Sequence, residues 1–295
     1  MFKRHVNNGI IYFTSPVLDS FGVPHFFASR FGGVSSGAFD SLNVSPARKD
    51  RDGNTDTSEN ICENYRRALA VIGSEPEHSV TTKQVHSCII RKALPSDAGL
   101  GILPSLKVKD DCDGIFLENG TGNIDTVCAK TADCVPILLA DAKTGNVCSV
   151  HAGWRGTAGG IILNAAKCMN ADPSFLLCAV GPCIGSCCYE VGDDVYSSVG
   201  QIFRQCGIEE KTDRMFSIEV MCSISGKRYA DLARINKTLL MTLGVPEENI
   251  DLSGLCTCCS RENDGQPTFF SHRGTGGFSG TFVSAAKTFK PKISE

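Results

Sequence analysis

Short apolar runs and segments of helical spacing alternate along the chain. The apolar runs predict strands at 23–30, 79–85, 114–117, 124–130, 135–140, 147–150, 175–181 and 269–273. Apolar residues repeat at helical spacing within 54–72, 160–169, 193–206 and 229–243. Gly73 and Gly244 follow two of these segments and predict helix ends. Gly- and Ser-rich residues 31–37 and the weakly patterned residues 93–111 predict connections.

The order of these segments bears on the fold class. Strands and helices interleave, but several short strands follow one another at spacings typical of hairpins. This combination favours an α+β fold with mixed sheets over a doubly wound parallel sheet. No repeat, low-complexity tract or linker divides the sequence. We therefore expect a single domain over residues 1–295.

Composition and charge narrow the function classes. The chain is 42% hydrophobic and 21% charged, which is typical of a globular protein with a large core. A formal net charge of −3 argues against a general nucleic-acid binder, which usually carries a basic patch. The N-terminal residues have no apolar core of a signal peptide, and no apolar run approaches a membrane span. We expect a cytoplasmic monomer or homodimer with no nucleic-acid or membrane partner.

Sixteen cysteines are unusual for such a chain, and most lie inside apolar stretches where cysteine acts as a small buried hydrophobe. We expect reduced thiols. The segments GPCIGSCCYEVG (181–192) and CTCC (256–259) raise the question of a second metal or an iron–sulfur cluster. Their spacings do not match the common ferredoxin arrangements. Structural cysteines are therefore the preferred interpretation of both segments.

Three separated residues point to chemistry, because two imidazoles and one thiolate form the ligand set of an open zinc site. His86 closes KQVH (83–86), Cys134 closes TADC (131–134), and His151 opens HAGWRG (151–156). Three protein ligands leave a fourth position for water or substrate, which is the catalytic pattern. Each residue taken alone is better explained as packing or capping, so the hypothesis requires all three to converge.

The segment HAGWRGTAGG (151–160) lies between a predicted buried strand and a predicted helix. Its small residues let backbone N–H groups approach a ligand, and a helix N-terminus favours an anion. Arg155 adds a planar guanidinium suited to phosphate. The glycine pattern fits neither a dinucleotide fingerprint nor a Walker loop. The alternative is a tight turn in which Trp154 packs into the core.

Five further polar residues are candidates for contacts with substrate. Asp133 adjoins Cys134, and Glu190 lies in the cysteine-rich segment 181–192. Arg273, in SHRG (271–274), could bind an anion or a base edge, and Arg30 and Asn43 raise the same question near the N-terminus. For Glu190 the alternative is an ordinary exposed or capping role.

Taken together and in order, the motifs resemble those of the YfiH/YlmD-type laccase-domain family. They are KQVH (83–86), DCDG (111–114), TADCVP (131–136), HAGWRG (151–156), GPCIG (181–185), CYEV (188–191) and FSHR (270–273). The resemblance extends from about residue 26 to about residue 281. This family was first described as polyphenol oxidases or multicopper laccases and later as purine nucleoside phosphorylases with adenosine deaminase activity.

The resemblance implies a four-layer α/β/β/α sandwich with mixed sheets. It implies metal ligands at His86, Cys134 and His151, with Zn²⁺ expected and Cu²⁺ possible. It also implies adenosine, inosine and 5′-methylthioadenosine as substrates, with phosphate as co-substrate. In this interpretation Arg155 joins the three ligands as a catalytic residue. Substrate contacts are assigned to Arg30, Asn43, Asp133, Glu190 and Arg273.

Two other functions remain open at this stage. Copper-dependent oxidation of phenols is one, because imidazole and thiolate also suit copper, although six histidines are few for a multi-copper centre. A zinc-stabilised binding module without enzymatic activity is the other. It predicts a closed four-ligand site and unfolding on chelation.

Overall fold

The computed structural model describes residues 1–108, 110–208, 221–224 and 226–291. Its first strands are β1 Lys3–Asn7, β2 Ile10–Thr14, β3 His25–Ala28, β4 Ser79–Thr81, β5 Ile90–Lys92, β6 Gly114–Leu117, β7 Thr126–Thr131 and β8 Val135–Asp141. The later strands are β9 Val147–Ala152, β10 Leu176–Val180, β11 Glu190–Val191, β12 Met221–Ile224, β13 Lys227–Ala230, β14 Ile250–Leu252 and β15 Phe282–Lys287.

The helices lie between these strands in the sequence, and two of them follow one another directly. In chain order they are α1 Pro16–Phe21, α2 Ser58–Leu69, α3 Trp154–Ala158, α4 Ile161–Met169, α5 Asp193–Gln205, α6 Leu232–Thr242 and α7 His272–Thr275. Local sequence explains several ends. The Thr57 side chain accepts a hydrogen bond from the Asn60 N–H at the start of α2. Asp231 does the same for Arg234 at the start of α6. In the described part of the chain, no helix has the length and apolar character needed to cross a membrane.

The strands form two six-stranded sheets and one smaller sheet. The first sheet has the order β1-β2-β3-β15-β7-β4, and the second has the order β14-β10-β8-β9-β6-β5. Both are mixed, because β4 runs parallel to β7, while β5–β6 and β10–β14 are parallel pairs in the second sheet. The small sheet has the order β11-β13-β12. The prediction of an α+β fold with mixed sheets is therefore confirmed.

The position of β8 between two cores explains why residues 135–140 are all apolar. Leu138 and Ala140 belong to a core that also contains Val127 and Phe282 of the first sheet. Ile137, on the other face, belongs to a second core that includes α4 and α6. A strand covered on both faces loses the alternation of a half-exposed strand and becomes uniformly hydrophobic.

The same strands deliver two of the candidate ligands to one edge. Strand β7 ends at Thr131, the chain turns through Asp133 and Cys134, and β8 then pairs antiparallel with β9. In this register Val135 lies opposite Ala152, and Pro136 lies opposite His151. Cys134 and His151 therefore lie at the same end of the β8–β9 ladder.

Several element predictions agree with the structure, and others were wrong. Predicted strands at 114–117, 135–140 and 147–150 correspond to β6, β8 and β9, and the predicted helix at 193–206 corresponds to α5. The strand predicted at 79–85 ends at Thr81, so His86 lies in a loop. The helix predicted at 229–243 begins only at Leu232, because the residues before it form β13.

Two further differences lie at the Gly-rich segments. The corner after β9 already contains the short helix α3 before α4 begins. The strand predicted at 269–273 is wrong, because Ser271 caps α7 by accepting a hydrogen bond from the Gly274 N–H. The last strand is β15, and its central place in the first sheet was not predicted.

Candidate metal centre

His86, Cys134 and His151 converge in the fold. One potential ligand atom from each of them lies within 4.8 Å of the other two. His86 Nε2 is 3.7 Å from Cys134 Sγ, and the two imidazole rings are 4.9 Å apart at an interplanar angle of 72°. His151 is buried, whereas His86 is exposed and Cys134 is partly buried. The three side chains thus form a small cluster with one open side.

Asp113 holds the two histidines in place. Its carboxylate accepts hydrogen bonds from the backbone N–H groups of His86 at 2.9 Å and Ser87 at 2.6 Å. His151 Nδ1 lies 2.7 Å from the same carboxylate, which leaves Nε2 as the ring nitrogen free for a ligand. A carboxylate behind a histidine is the usual outer partner of a metal ligand, because it fixes the tautomer and the ring direction.

The backbone around the centre is constrained as well. His86 has φ 64° and Asp133 has φ 98°, both in the left-handed region that residues with a side chain rarely adopt. Such conformations cost about 1–3 kcal/mol and persist where surrounding contacts enforce them, often at functional sites. Gly153 leaves the space that the cluster occupies. A Cβ there would lie 2.8 Å from His86 Cδ2 and 3.1 Å from Cys134 Sγ.

The negative charge of Cys134 and the positive charge of His151 stabilise each other. Burial alone would raise the pKa of Cys134, but the positive charge of His151 and hydrogen bonds from both histidines lower it to about 6. Burial alone would lower the pKa of His151, but the Cys134 thiolate and the Asp113 carboxylate raise it to about 9. Without a metal, an imidazolium therefore lies beside a thiolate at neutral pH.

A cavity of about 650 Å³ opens beside the three ligands, and His86, Cys134 and His151 all form part of its wall. This volume falls within the range of roughly 300–1,000 Å³ that is usual for small-molecule sites. Arg48 and Lys130 also line it. Burial lowers the pKa of Lys130 to about 8, and its Nζ donates to the Thr82 carbonyl at 2.8 Å. Two cationic side chains therefore line the same cavity as the three potential ligands.

Asp133 links the centre to two other segments. Its Oδ1 accepts from Thr257 Oγ1 at 2.6 Å, and its Oδ2 accepts from the Arg273 backbone N–H at 2.7 Å. Its own carbonyl accepts from the Ile184 N–H at 2.9 Å. These contacts give Asp133 a positioning role next to Cys134. A direct contact between Asp133 and substrate stays a prediction.

Arg155, Arg273 and Glu190 surround Tyr189 on another side of the centre. Burial and the Cys134 thiolate raise the pKa of Tyr189 to about 12, although the charges of Arg273 and Arg155 oppose this. The Arg155 guanidinium is exposed and lies 4.3 Å from the Trp154 ring. Arg273 donates to the carbonyls of Cys188 and Glu190, and the Glu190 side chain pairs with Lys227 at 2.9 Å. Their substrate contacts stay predictions.

Arg30 and Asn43 lie in the connection after β3. Arg30 donates to the Asp40 carbonyl and lies 4.9 Å from the Phe270 ring. Asn43 is fully buried, donates to Asp56 at 2.9 Å and accepts from the Thr281 N–H at 3.0 Å. These contacts organise a loop whose neighbours Ser45 and Thr281 line the cavity. A role in binding substrate stays a prediction for both residues.

Comparison with known proteins places the chain in a family. A family model described as multi-copper polyphenol oxidoreductase laccase matches residues 24–288. The chain belongs to this laccase family. It is 33% identical over 261 residues to the purine nucleoside phosphorylase YlmD of Geobacillus stearothermophilus, covering 87% of this chain and 86% of the relative. It is 34% identical over 163 residues to the adenosine deaminase RL5 of an unknown prokaryotic organism, covering 54% of this chain and 55% of the relative.

The fold of the chain also resembles that of a solved relative. The crystal structure of YlmD from Geobacillus stearothermophilus superposes with a TM-score of 0.80 at 29% identity. The match covers 98% of this chain and 99% of that one. The resemblance to the YfiH/YlmD type inferred from the sequence motifs is therefore confirmed.

The residues present fit a metal ion of the kind that this laccase family implies. Two imidazoles and one thiolate suit zinc or copper. The Asp113 carboxylate orients one imidazole from behind, and Gly153 leaves room beside the other two donors. The donor set alone does not select between the two metals.

Three contributors to the site were missed by sequence reasoning. Asp113 lies in the DCDG motif, but nothing in that motif reveals that its carboxylate reaches both histidines. Arg48 and Lys130 line the cavity, but neither Lys130 in its predicted strand nor Arg48 in an unpatterned segment is marked as a cavity residue by the local sequence. Contacts with distant segments place these three residues at the site, and a local pattern carries no signal of such contacts.

Proposed function

We propose that the protein is a metal-dependent purine nucleoside phosphorylase that acts on adenosine, inosine and 5′-methylthioadenosine with phosphate. The observation that carries the proposal is the convergence of His86, Cys134 and His151 at the wall of a nucleoside-sized cavity. The relative YlmD, of which the match covers 86%, is named purine nucleoside phosphorylase, and this supports the same reaction class. We further propose Zn²⁺ as the resident metal, with Cu²⁺ as the alternative.

The metal, when bound, supplies Lewis-acid stabilisation of oxygen atoms and lowers the pKa of bound water. The chain's own residues have separate tasks. Asp113 keeps His151 Nε2 directed at the centre, and Gly153 keeps the neighbouring space open. Asp133 ties the Cys134 turn to Thr257 and Arg273. These contacts hold the three donors in position before any ligand arrives.

In the proposed phosphorolysis, a phosphate oxygen attacks C1′ of the ribose while the bond from C1′ to the purine nitrogen breaks. The products are ribose 1-phosphate and the purine, which takes up the proton that the attacking hydrogen phosphate gives up. Arg155 is our candidate for holding phosphate, because its guanidinium is exposed beside Tyr189 and matches phosphate geometry. Arg48 is a second candidate, since it lines the cavity directly.

We also propose deamination of adenosine as a second activity. Water would add at purine C6, and ammonia would leave to give inosine. The relative RL5, which matches about half of this chain, is named adenosine deaminase. Asp133 and Glu190 are the candidates for proton transfer, since Asp133 adjoins Cys134 and Glu190 adjoins Tyr189 in the sequence.

Oxidation of phenols by copper is the competing function, and the description of the family model favours it by name. A multi-copper centre needs many imidazoles. The chain has six histidines, and within the described residues two of them belong to a group that could hold a metal. This donor set supports a single ion more readily than a copper cluster.

Four finer features belong to the same proposal. We place the protein in the cytoplasm as a monomer or homodimer that takes small molecules rather than nucleic acid. We also favour the four-layer α/β/β/α arrangement, because one core lies between the two large sheets and another between the second sheet and its helices.

The test is product analysis under anaerobic conditions. Purified protein is incubated with adenosine, with and without phosphate, and the products are separated by liquid chromatography and mass spectrometry. We expect adenine and ribose 1-phosphate only when phosphate is present, and inosine in both reactions. The variant H86A should lose both products and the metal ion held by His86, Cys134 and His151, whereas H78A, at an exposed histidine, should keep them. Full phosphorolysis by H86A that has lost this ion would refute the role of the metal, and oxygen-dependent turnover of phenols alone would favour the oxidase.

A further inference from the structure

Four cysteines lie together near the surface, outside the centre formed by His86, Cys134 and His151, which is called the first centre below. The Sγ atoms of Cys187, Cys188, Cys256 and Cys259 are all within 4.8 Å of one another, and those of Cys187 and Cys259 are 3.5 Å apart. A disulfide joins its sulfurs at about 2.05 Å, so these are separate thiols. Four thiolates at about 2.3 Å from one tetrahedral ion lie roughly 3.8 Å from each other. The Cys187–Cys259 separation is close to that value, and no pair exceeds it by more than about 1 Å.

The fold brings the two cysteine pairs together through backbone contacts. The Thr257 N–H donates to the Cys183 carbonyl at 3.0 Å, and the Cys183 N–H donates to the Leu255 carbonyl at 3.2 Å. The segment 183–188 is thereby joined to the segment 255–259, although about 70 residues separate them in the sequence. Neither pair alone has a complete ligand set, which explains why the sequence spacing matched no common motif.

Local turns direct the sulfurs inward. The Ser260 N–H donates to the Cys256 carbonyl at 3.0 Å, which closes a turn over the C-x-x-C pair Cys256 and Cys259. The Cys188 N–H donates to the Gly185 carbonyl at 2.9 Å and closes the opposite turn. The Gly185 N–H lies 3.3 Å from Cys256 Sγ. A backbone donor directed at a sulfur is the kind of outer support that metal-ligating thiolates receive.

We propose that Cys187, Cys188, Cys256 and Cys259 bind a structural zinc ion. Four thiolates form a closed tetrahedral set with no position left for substrate, which is the structural rather than the catalytic pattern. An iron–sulfur cluster places several atoms between its thiolates and so separates them more than a single ion does. The short separations in this cluster therefore favour one ion.

The second ion would support the first centre through Asp133. Thr257 lies between the ligands Cys256 and Cys259, and its hydroxyl donates to Asp133 Oδ1 at 2.6 Å. On the other segment, the Cys188 carbonyl accepts from the Arg273 guanidinium at 3.3 Å, and the Arg273 backbone N–H donates to Asp133 Oδ2. Both segments that the ion would join thus contact the residue that precedes Cys134.

The test measures zinc content in the full chain, purified under reducing conditions and supplied with zinc. Mass spectrometry of the metal gives moles of zinc per chain for the wild type and for C259S, C258S and H151A. We expect C259S to bind one ion fewer than the wild type. C258S is the matched control, since Cys258 belongs to the same turn but not to the group of four, and it should keep the wild-type content. H151A should also lose one ion, and the C259S/H151A double variant should lose both.

Cobalt provides a readout that does not depend on the folding of C259S. Cobalt added to zinc-free H151A should give the intense thiolate-to-cobalt charge-transfer absorption of a four-sulfur tetrahedral site, because only the first centre is disrupted. Equal zinc content in folded C259S and wild type would overturn the proposal. So would a cobalt spectrum in H151A without thiolate bands, or a Cys187–Cys259 disulfide found by peptide mapping of zinc-supplied protein. Failure of the nucleoside assay would leave these results unaffected.

Discussion

At the scale of single residues, Gly153 is the position where an added methyl group has the clearest consequence. Its φ is −70°, so alanine could adopt the backbone without strain. The obstacle is space, since the new Cβ would lie 2.8 Å from His86 Cδ2 and 3.1 Å from Cys134 Sγ. We expect G153A to weaken zinc binding at the first centre by about 10- to 100-fold, as for other disruptions around metal ligands. Competition with a chromophoric chelator measures the change.

Gly200 offers a matched control for this substitution. It lies inside helix α5, and a Cβ there would meet only Arg204 Nη1 at an ordinary 3.5 Å. We expect G200A to bind zinc as the wild type does and to gain up to about 1 kcal/mol of stability from helix propensity. Unchanged zinc affinity in G153A would show that the ligand loops shift to accept the methyl group.

The pH dependence of metal binding follows from the proton on His151. The pKa of His151 is raised to about 9 and that of Cys134 is lowered to about 6. Between these values the thiolate is already formed, and the ion must displace the imidazolium proton. We therefore expect zinc affinity to rise about tenfold per pH unit between pH 6 and pH 9, and to level off above pH 9. Chelator competition at a series of pH values gives the slope.

Removal of the Asp113 charge provides the control for this dependence. Its carboxylate is one of the groups that raise the pKa of His151, so D113N should move the levelling-off to lower pH. A wild-type affinity that is constant between pH 7 and pH 8.5 would mean that His151 carries no proton to displace.

The site residues that sequence could predict are those whose chemistry is visible locally. His86, Cys134 and His151 were identified because imidazole and thiolate are metal ligands and each lies in a distinctive motif. Asp113 was not assigned a role, because its function depends on reaching a loop 26–28 residues earlier and a strand 38 residues later. Such contacts are created by the sheet register and leave no periodic trace in the sequence.

At the scale of elements, the Thr257–Asp133 hydrogen bond joins the turn that carries Cys256 and Cys259 to the turn that follows β7. Thr257 is fully buried, so valine keeps its shape but removes the donor at 2.6 Å from the carboxylate. A buried charged acceptor that loses its donor costs about 1–3 kcal/mol. We expect T257V to lower the free energy of unfolding in urea by that amount.

Thr238 provides a control in which the same substitution removes a hydroxyl donor at the surface. Its hydroxyl donates to the Arg234 carbonyl on the surface of α6, where water can replace the lost bond. T238V should change the free energy of unfolding by less than about 0.5 kcal/mol. If T257V were equally neutral, the carboxylate would have to find another donor, and the link between the two segments would be unimportant for stability.

Element predictions were wrong where tertiary pairing competed with local pattern. Tyr229 and Ala230 continue the helical spacing of the residues after them, but they pair with Cys222 and Met221 across a hairpin. Phe269 and Phe270 have the composition of a strand. Both rings are buried, the Phe269 ring packs beside Phe13 and Phe282, and Ser271 then starts a helix. Helix α5 was predicted well because its apolar face repeats over more than three turns.

At the scale of the whole molecule, the fold class followed from the sequence but the sheet order did not. Interleaved helices and hairpin-like strand spacings were sufficient for a mixed α+β fold. Strand β15, from the end of the chain, lies between β3 and β7 in the first sheet. Non-local pairing of this kind depends on which edges remain free after the local hairpins form, and residue patterns do not encode it.

Strand β1 is an outer strand of the first sheet, and its charged surface has a consequence for association between molecules. Its burial pattern is almost entirely exposed, and it carries Lys3 and Arg4, which pair with Asp19 and Glu262. Charged side chains on an outer strand discourage another polypeptide from adding to the row of unpaired amides. The next strand inward, β2, contributes buried Ile10 and Phe13. The N-terminal hairpin therefore also shields the apolar residues of β2 from edge-to-edge aggregation with another molecule.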